Sequence, residues 1–489
     1  MTSFRNRLRT AAVASVVVVG IGCSSLGPRG LTEDAPLPEA PERPARIEPP
    51  TPPPATAAEL PEQLLQPDST FTLADVVDIA LRHNPATRAA YLEAIAAAEK
   101  LEADRSAYYP RIDLSADVTR TQQSALGGQF DFLQTSYGPA VDLSWLVLDL
   151  GGRAADVEDA RLAVLTADWS HTAVVQDVIL AVQQTYVEYL NAKAQLVAAR
   201  ASVDEAETAL TAATVRHDAG VATIAEVLQA RTARSQAQLA VDQLTGRVMA
   251  LRGALATAMG LPANLPYDVG ELPPDLPLEA TTRSVESLIE QARSLRPDLA
   301  AARTEAERAA VHVRSVRADG QPSLVASATA GRDYYHPSTF ADSADSWSAR
   351  LLLRIPVFTG FEVKHNVARA EAQAEAAAAR AESIEQQVIL QVWTSYYGLE
   401  TATQLVRTTT DLLASAEQSE RVALGRYREG VGTIIDLLAA QAALADARAQ
   451  HITARASWFY ALAQLARDTG TASPTLQAAV GVTSEPRTP

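Results

Sequence analysis

Cysteine is almost absent from this sequence of 489 residues, which contains only Cys23. A single cysteine excludes an intramolecular disulfide, a cysteine-based metal site and a CxxC redox pair. The seven histidines are scattered and show no HExxH or other paired spacing. The sequence also lacks a GxSxG motif, a P-loop and a dinucleotide-binding fingerprint. We therefore predict no catalytic residue, no cofactor and no metal site, so the protein is not expected to be an enzyme.

Aromatic side chains and positive charges are also scarce. Aromatic residues make up 5% of the chain, and alanine supplies much of the 47% hydrophobic fraction. Alanine favours helices with thin, close-packed seams over thick globular cores. The 42 basic and 58 acidic side chains give a formal net charge of −16. This charge argues against nucleic acid, or an anionic membrane held by charge, as a partner.

The N-terminus has the pattern of an export signal. Arg5, Arg7 and Arg9 precede an apolar segment, residues 11–21, that is too short to span a bilayer and ends just before Cys23. This arrangement resembles a bacterial lipoprotein signal, with residues 1–22 removed and Cys23 lipidated. In proteins with such a signal, Ser24 after the cysteine implies transfer to the outer membrane. An ordinary signal peptide with an incidental cysteine is the alternative.

A hinge-like motif occurs twice, about 210 residues apart. Residues 216–228 and 426–438 share Arg, Gly, Val, Thr, Ile, an acid and a final Leu in register, which indicates an internal duplication. Gly220 and Gly430 are each expected to end a helix in the left-handed conformation. Thr223 with Glu226, and Thr433 with Asp436, have the spacing of a capping box that begins the next helix.

Each copy also contains two segments with the alternating pattern of β-strands. In the first copy, apolar residues alternate with polar ones over residues 112–119 and 141–147, on either side of a Gly-rich turn. The second copy has equivalent segments over residues 324–335 and 347–355. Strands of about ten residues with one apolar and one polar face are typical of a transmembrane barrel. Four strands cannot close a barrel, so if these strands enter a membrane, several chains must combine theirs.

The rest of the duplicated unit is predicted to be long helices. Large apolar residues recur every seven positions between residues 154 and 216, with mostly small residues three positions after each, and the second copy keeps the same register. A helix of this length spans roughly 90–100 Å. Each long helix is expected to turn at the hinge and return as a second helix, over residues 223–259 and 433–467.

These patterns divide the chain into segments. The signal peptide (1–22) is followed by a lipidated N-terminus and Pro-rich tether (23–70), because a run such as residues 49–54 favours an extended chain. The first repeat (71–260) and the second repeat (282–470) flank a Pro-rich connector (261–281). A disordered tail (471–489) is expected at the end.

The order of elements, and several short motifs, resemble the TolC-like outer-membrane efflux proteins. The motifs are His83-Asn84-Pro85, Tyr109-Pro110, Leu148-Asp149-Leu150-Gly151-Gly152-Arg153 and the two hinges. The resemblance covers residues 71–470. The second repeat departs from the pattern, with Arg296-Pro297 in place of Asn-Pro and a single glycine in Phe358-Thr359-Gly360-Phe361.

The resemblance implies a mainly helical fold with a small β part. It implies a homotrimer whose chains each contribute four strands to a shared twelve-stranded β-barrel, continued by an α-helical barrel through the periplasm. The implied function is a passive exit duct in the outer membrane, serving a tripartite efflux system or type I secretion. The implied partners are a periplasmic adaptor protein, an inner-membrane pump and the lipid of the outer membrane.

The resemblance also assigns roles to the hinges. It places Asp436, with its counterpart Glu226, at a periplasmic gate, although both acids have the spacing of simple helix caps. Arg216 and Arg426 either hold neighbouring chains together or only neutralise the ends of their helices. The tip turns that would dock the adaptor contain Gly220, Gly430, Val221, Val431, Thr223 and Thr433. The cargo is not readable from the sequence.

A different class of function is also compatible with the helices. A lipid-anchored coiled-coil structural protein of the cell envelope, without channel activity, would share the heptads and the lipidated cysteine. Such a protein would lack amphipathic strands, and the four strand segments therefore favour the channel.

Overall fold

The computed structural model describes residues 70–125, 130–270, 276, 278, 284–337 and 342–472. All of them belong to one unit of the chain, Pro44–Pro489. The predicted signal peptide, Cys23 and the tether up to residue 69 lie outside the described residues. So do parts of the connector and the tail after residue 472.

The described elements follow one order twice. The first series is β1 (Thr70–Phe71), α1 (Leu73–His83), α2 (Pro85–Arg105), β2 (Arg111–Ala125), β3 (Phe130–Leu148), α3 (Gly152–Asp218) and α4 (Ile224–Ala258). The second is β4 (Asp268–Val269), α5 (Val285–Leu295), α6 (Pro297–Ala318), β5 (Ser323–His336), β6 (Ser343–Arg354), α7 (Glu362–Arg428) and α8 (Ile434–Asp468). The predicted fold class, mainly helical with a small sheet, is confirmed.

The break between α1 and α2 follows from Asn84-Pro85. Proline disfavours the helical conformation at the residue before it, and Asn84 is extended, with ψ 125°. Its side-chain oxygen accepts a hydrogen bond from the backbone N–H of Ala86 and so caps α2. Helix α2 ends at Arg105, and the chain continues as a 3-10 turn, Ser106–Tyr108. Pro110 accounts for this end because it forces Tyr109 into an extended conformation.

The long strands form a four-stranded sheet in the order β2-β3-β5-β6, and every neighbouring pair is antiparallel. One row across the sheet contains Leu114, Val141, Ala330 and Trp347, and the adjacent row contains Asp113, Asp142, Thr329 and Ser348. The two faces are therefore apolar and polar, as the alternating pattern predicts. On the polar face, Ser115 and Thr329 both donate to the Asp142 carboxylate over 2.8 Å.

Each long helix pairs with its return helix, α3 with α4 and α7 with α8, and α3 also packs along α8. The main hydrophobic cluster lies where these helices meet the short helices α1 and α5, and it includes Val77, Val182, Leu288, Val392 and Trp458. The short parallel pairing of β1 with β4 lies next to this cluster and joins the start of the first repeat to the connector.

Among the described residues, we find no helix that is both long and apolar enough to cross a membrane.

Candidate functional site

Both predicted hinges end their long helix with the same backbone motif. Gly220 and Gly430 are left-handed, with φ values of 74° and 78°. In the first hinge, Gly220 N–H donates to His217 C=O over 2.8 Å and Val221 N–H donates to Arg216 C=O over 3.0 Å. In the second, Val431 N–H donates to Arg426 C=O over 2.9 Å. This is the Schellman motif, which satisfies the last carbonyls of a helix and lets the chain reverse.

The return helices begin with the capping boxes that the sequence predicts. Thr433 Oγ1 accepts from the backbone N–H of Asp436 over 3.1 Å, and Asp436 Oδ2 accepts from the backbone N–H of Thr433 over 3.3 Å. Thr223 and Glu226 form the equivalent box, in which Glu226 Oε1 accepts from Thr223 N–H over 3.4 Å. Glu226 and Asp436 are therefore helix caps, whatever further role they have.

Asp436 is ionised at neutral pH. The hydrogen bonds from Thr433, and to a smaller extent the charge of Arg426, lower the pKa of this exposed carboxyl below its usual value. The negative charge also lies at the N-terminus of α8, where the helix dipole favours an anion.

The two hinges contact each other through Tyr427, which is buried at the end of α7. Arg216 Nη1 donates to the Tyr427 carbonyl over 3.0 Å, and the Arg216 guanidinium lies 5.0 Å from the centre of the Tyr427 ring. On the other side, the Tyr427 hydroxyl donates to Glu226 Oε2 over 3.3 Å. Burial, followed by the Glu226 carboxylate, raises the pKa of Tyr427, so this hydroxyl stays protonated across the physiological range. We call this contact the Tyr427 clamp.

A small apolar cluster lies next to the Tyr427 clamp. It joins all four long helices, with Ala209 and Ala213 from α3, Val227 and Ala230 from α4, Tyr427 from α7, and Ile434 and Leu437 from α8. The alanines on α3 allow the helices to approach closely at this end. The Tyr427 clamp is thus a polar contact that lies beside a packed apolar cluster.

In the part of the chain that the structure describes, the second hinge has no equivalent clamp. Arg426, the counterpart of Arg216, donates to Val431 C=O of its own turn, over 3.4 Å. His217, the counterpart of Tyr427, has its Nδ1 atom 3.1 Å from Ala222 C=O, also in its own turn.

The structure thus brings Arg216 and Glu226 together at Tyr427. Arg426 and Asp436 lie at the second hinge. The sequence alone did not indicate a role for Tyr427, although alignment of the two copies places it at the position equivalent to His217. Val221 and Val431 are exposed at the tips of the two turns. Next to the turns, a cavity of about 760 Å³ lies between α3, α4 and α8 and is lined mainly by alanine and glutamine side chains. Within the described ranges, no group of three or more His, Cys, Asp or Glu side chains is arranged to bind a metal ion.

Comparison with known proteins agrees with this architecture. The family model of outer membrane efflux proteins matches residues 76–261 and 288–471. Among curated relatives, protein CyaE of Bordetella pertussis is 28% identical over 383 residues, which cover 78% of this chain and 80% of the relative. The toluene efflux pump outer membrane protein TtgF of Pseudomonas putida is 27% identical and covers 78% of this chain and 79% of the relative.

The fold is shared with solved channels. The structure of the Campylobacter jejuni CmeC outer membrane channel has a TM-score of 0.72 with 19% sequence identity, covering 82% of this chain and 86% of that chain. Since the family model matches both repeats, the chain belongs to the outer membrane efflux protein family, and it is an outer-membrane protein of efflux or secretion with a periplasmic helical part.

Proposed function

We propose that this chain is one subunit of a homotrimeric duct that passively conducts substrates from an inner-membrane pump across the periplasm and the outer membrane. The observation that carries the proposal is the four-stranded sheet, which has one apolar face, one polar face and two unpaired edges. Among the described residues, strands β2 and β6 each have one neighbouring strand. In hydrocarbon an unpaired strand edge leaves backbone groups without hydrogen bonds, at a cost of several kcal/mol per group. Pairing of β2 with β6 of another subunit removes both edges.

The helices support the same assembly. Val187 on α3 is 3% exposed because α3 packs on α8, whereas its counterpart on α7, Tyr397, is 43% exposed. Phe459 on α8 is 6% exposed, whereas its counterpart on α4, Met249, is 56% exposed. Within the chain, one face of α3 packs against one face of α8. The equivalent faces of α7 and α4 are exposed. A second copy that places its α4 against α7 would cover both, and three such contacts close a ring.

The hinges support a gate and a docking tip at the periplasmic end. Asp436 and Glu226 place carboxylates next to the turns, and Arg216 holds the two repeats together through Tyr427. In a trimer, three copies of Asp436 would surround one opening. Val221 and Val431 expose apolar side chains at the turns formed by Gly220 and Gly430, with Thr223 and Thr433 beside them, which suits contact with an adaptor protein.

The energy for transport is proposed to come from the pump, because the sequence contains no nucleotide-binding motif. TtgF is by its name a component of a toluene efflux pump. For this chain we propose only the class of system, efflux or type I secretion. A lipid on Cys23 would add an anchor to the outer membrane. The segment boundaries given above, including the two repeats at 71–260 and 282–470, remain part of this proposal.

Reconstitution tests the proposal directly. The full chain, purified in detergent, is expected to have the native mass of a trimer and to form ion-conducting channels in planar bilayers. Asp436→Ala is expected to raise the conductance or to weaken block by divalent cations applied from the periplasmic side. A stable monomer that forms no channels would overturn the proposed duct. A conducting trimer whose conductance and cation block are unchanged in Asp436→Ala would overturn only the gate.

A further inference from the structure

A cleft of about 710 Å³ lies where α3 and α6 meet the four-stranded sheet. It is formed by the turn that follows β3, the first turns of α3 and the end of α6. Its lining combines alanine side chains with four charged or amide side chains, Glu158, Arg314, Arg317 and Gln321. The cleft therefore lies at the opposite end of α3 from the hinge, at the junction of strands and helices.

The cleft opens on the side of α6 that carries the short helix α5. Arg303, 14 residues before Arg317 on α6, donates to Arg293 C=O of α5 over 3.0 Å. Arg303 and Arg317 pair with two acids of α7 that have the same spacing, Glu385 and Glu371. An interval of two heptads keeps residues on one face of packed helices. In the proposed duct this face is the outer one, because α5 on the inner face would obstruct the lumen.

Two leucines continue the apolar face of the sheet as far as the cleft. Leu148 ends β3, pairs with Leu324 and is 47% exposed, and Leu150, which lines the cleft, is 53% exposed. Leu150 also has a left-handed backbone, with a φ value of 52°, which is unfavourable for a residue other than glycine. An exposed leucine held in this conformation suits contact with hydrocarbon. Below the strands of an outer-membrane barrel, the hydrocarbon is that of the inner leaflet.

The charges of the cleft match a headgroup that contains a phosphate and an ammonium. Among the described residues, Arg314 has no hydrogen-bond or ion-pair partner, and Arg317 pairs with the exposed Glu371. Glu158 pairs with Arg161 over 2.8 Å. The hydrogen bond and charge of Arg161, followed by the charge of Arg314, outweigh burial and lower the pKa of Glu158, so this carboxyl is ionised. Guanidinium groups bind phosphate, and a carboxylate accepts from an ammonium.

The equivalent positions of the other repeat do not form such a site. Glu102 stands at the position equivalent to Arg314 and pairs with Arg105 over 2.6 Å. Tyr109 and Phe361 place large aromatic side chains where the cleft has an amide and a glycine. In a trimer these residues would meet between subunits, where their charges are already paired and the rings occupy the space. The cleft between α3 and α6 is therefore the one that suits a headgroup.

We propose that this cleft binds phosphatidylethanolamine from the inner leaflet of the outer membrane, with the lipid phosphate on Arg314 and Arg317. The ammonium group of the lipid pairs with Glu158, and an acyl chain lies along Leu148 and Leu150. The inference rests on the proposed duct, which places the sheet in the outer membrane, and it adds a lipid site to each subunit.

Lipid titration followed by native mass spectrometry tests the site. The full-length trimer, purified in detergent and mixed with phosphatidylethanolamine, is expected to retain three lipid molecules tightly. Arg314→Gln combined with Arg317→Gln is expected to weaken this binding by about tenfold or more. Arg105→Gln is the matched control, because it breaks the equivalent surface ion pair outside the cleft, and it should bind lipid as wild type does. Unchanged binding in the double variant would overturn the site.

Three further probes test the headgroup. Phosphatidylglycerol has a phosphate without an ammonium, diacylglycerol has no phosphate, and inorganic phosphate has no acyl chain. Phosphatidylethanolamine is expected to bind more tightly than all three, and Glu158→Gln is expected to remove its advantage over phosphatidylglycerol. Equal binding of diacylglycerol would overturn the phosphate contact. Displacement of the lipid by inorganic phosphate would show a site for a free anion and overturn the assignment to lipid.

The lipid site and the duct fail in different ways. A trimer that conducts ions but retains no phosphatidylethanolamine would overturn the lipid site alone, whereas a monomer that forms no channels would overturn the duct. Arg314→Gln by itself breaks no ion pair among the described residues. It therefore replaces the double variant if the double variant does not assemble, and wild-type lipid binding by this single variant would also overturn the site.

Discussion

Asn84 and Arg296 occupy equivalent positions in the two repeats. Each contacts the end of the return helix of its own repeat, but through different chemistry. Asn84 Nδ2 donates to the carbonyl of Ala258 at the end of α4, over 3.0 Å. Arg296 Nη1 lies 3.5 Å from the carbonyl of Asp468, the counterpart of Ala258 at the end of α8. Arg296 also pairs with the carboxylates of Asp468 and Asp298, and both Arg296 and Asp468 are buried. The second repeat thus replaces a neutral contact with a buried ionic one.

Loss of this arginine should cost more than loss of the asparagine. Arg296→Ala is expected to lower the free energy of unfolding by about 3 kcal/mol, because it removes one of the two arginines that pair with the buried Asp468 carboxylate. Arg467 Nη1, 3.5 Å away, and two hydrogen bonds from Gln464 Nε2 remain. Asn84→Ala, the matched change, removes a helix cap and should cost about 1 kcal/mol. Denaturant unfolding of the purified protein measures both, and equal costs would contradict the ionic role.

Acidic pH should reduce the difference in free energy of unfolding between wild type and Arg296→Ala. Burial raises the pKa of Asp298, but the hydrogen bond and charge of Arg296 outweigh it, and the pKa lies below its usual value. An acid with a lowered folded-state pKa stabilises the fold above its unfolded pKa of about 3.9 and loses this contribution as the pH falls below it. The gap between wild type and Arg296→Ala is therefore expected to shrink below about pH 4.

In the sequence, Arg296 is visible only as a departure from the Asn-Pro motif of the first repeat. Proline at position 297 ends one helix and begins the next, because its conformational preference is local. The partner Asp468 lies 172 residues away, and no local pattern links the two. The same limit explains why Tyr427 was missed, since its partners Arg216 and Glu226 lie in the other repeat.

At the scale of elements, the hinge is the part that the sequence predicted most closely. The Gly, Thr and acid at fixed spacing determine a left-handed turn and a capping box through contacts within a few residues. Strand bounds were less accurate. Strand β3 extends over Phe130–Leu148, well before the predicted start at 141, and β6 stops at Arg354. Strand length depends on pairing with neighbours, and the pairing is not local.

The two hinge glycines should respond differently to the same substitution. Gly220→Ala and Gly430→Ala each place a side chain in the left-handed region, at a cost of about 1–2 kcal/mol. A Cβ at Gly220 meets open space, but one at Gly430 would lie 3.4 Å from Arg216 Nη1 in the Tyr427 clamp. Gly430→Ala is therefore expected to raise single-channel conductance, and Gly220→Ala to leave it close to wild type. An equal effect of the two changes on conductance would show that only backbone strain matters.

Bulkier residues at either tip should affect docking before folding. Leucine at Gly220 or Gly430 is expected to reduce co-purification with the adaptor protein while the helical circular dichroism spectrum is preserved, because the turns are exposed and lie apart from the main hydrophobic cluster. Recovery of the adaptor at wild-type yield would contradict the proposed docking tip.

At the scale of the whole molecule, the fold class and the family followed from the order of the elements, because duplication and period are visible in one chain. The assembly depends on surfaces that one chain leaves uncovered, and these are visible only when equivalent positions of the two repeats are compared in the structure. Tyr397 and Val187 occupy equivalent places on α7 and α3, yet only Val187 is covered. The difference arises because α3 packs against α8 as well as against α4, whereas α7 packs against α8 and, among the described residues, makes no comparable contact with α4.

Substitutions at Tyr397 and Val187 distinguish an effect on assembly from an effect on folding. Tyr397→Asp is expected to lower the trimer fraction in native mass spectra without changing the helical circular dichroism of the subunit, because a charge on the uncovered face opposes contact only with a neighbour. Val187→Asp places an unpaired carboxylate in the main cluster and is expected to destabilise the subunit itself by several kcal/mol. If Tyr397→Asp assembles as well as wild type, α7 does not face another subunit at this position, and the α7–α4 contact between subunits is wrong.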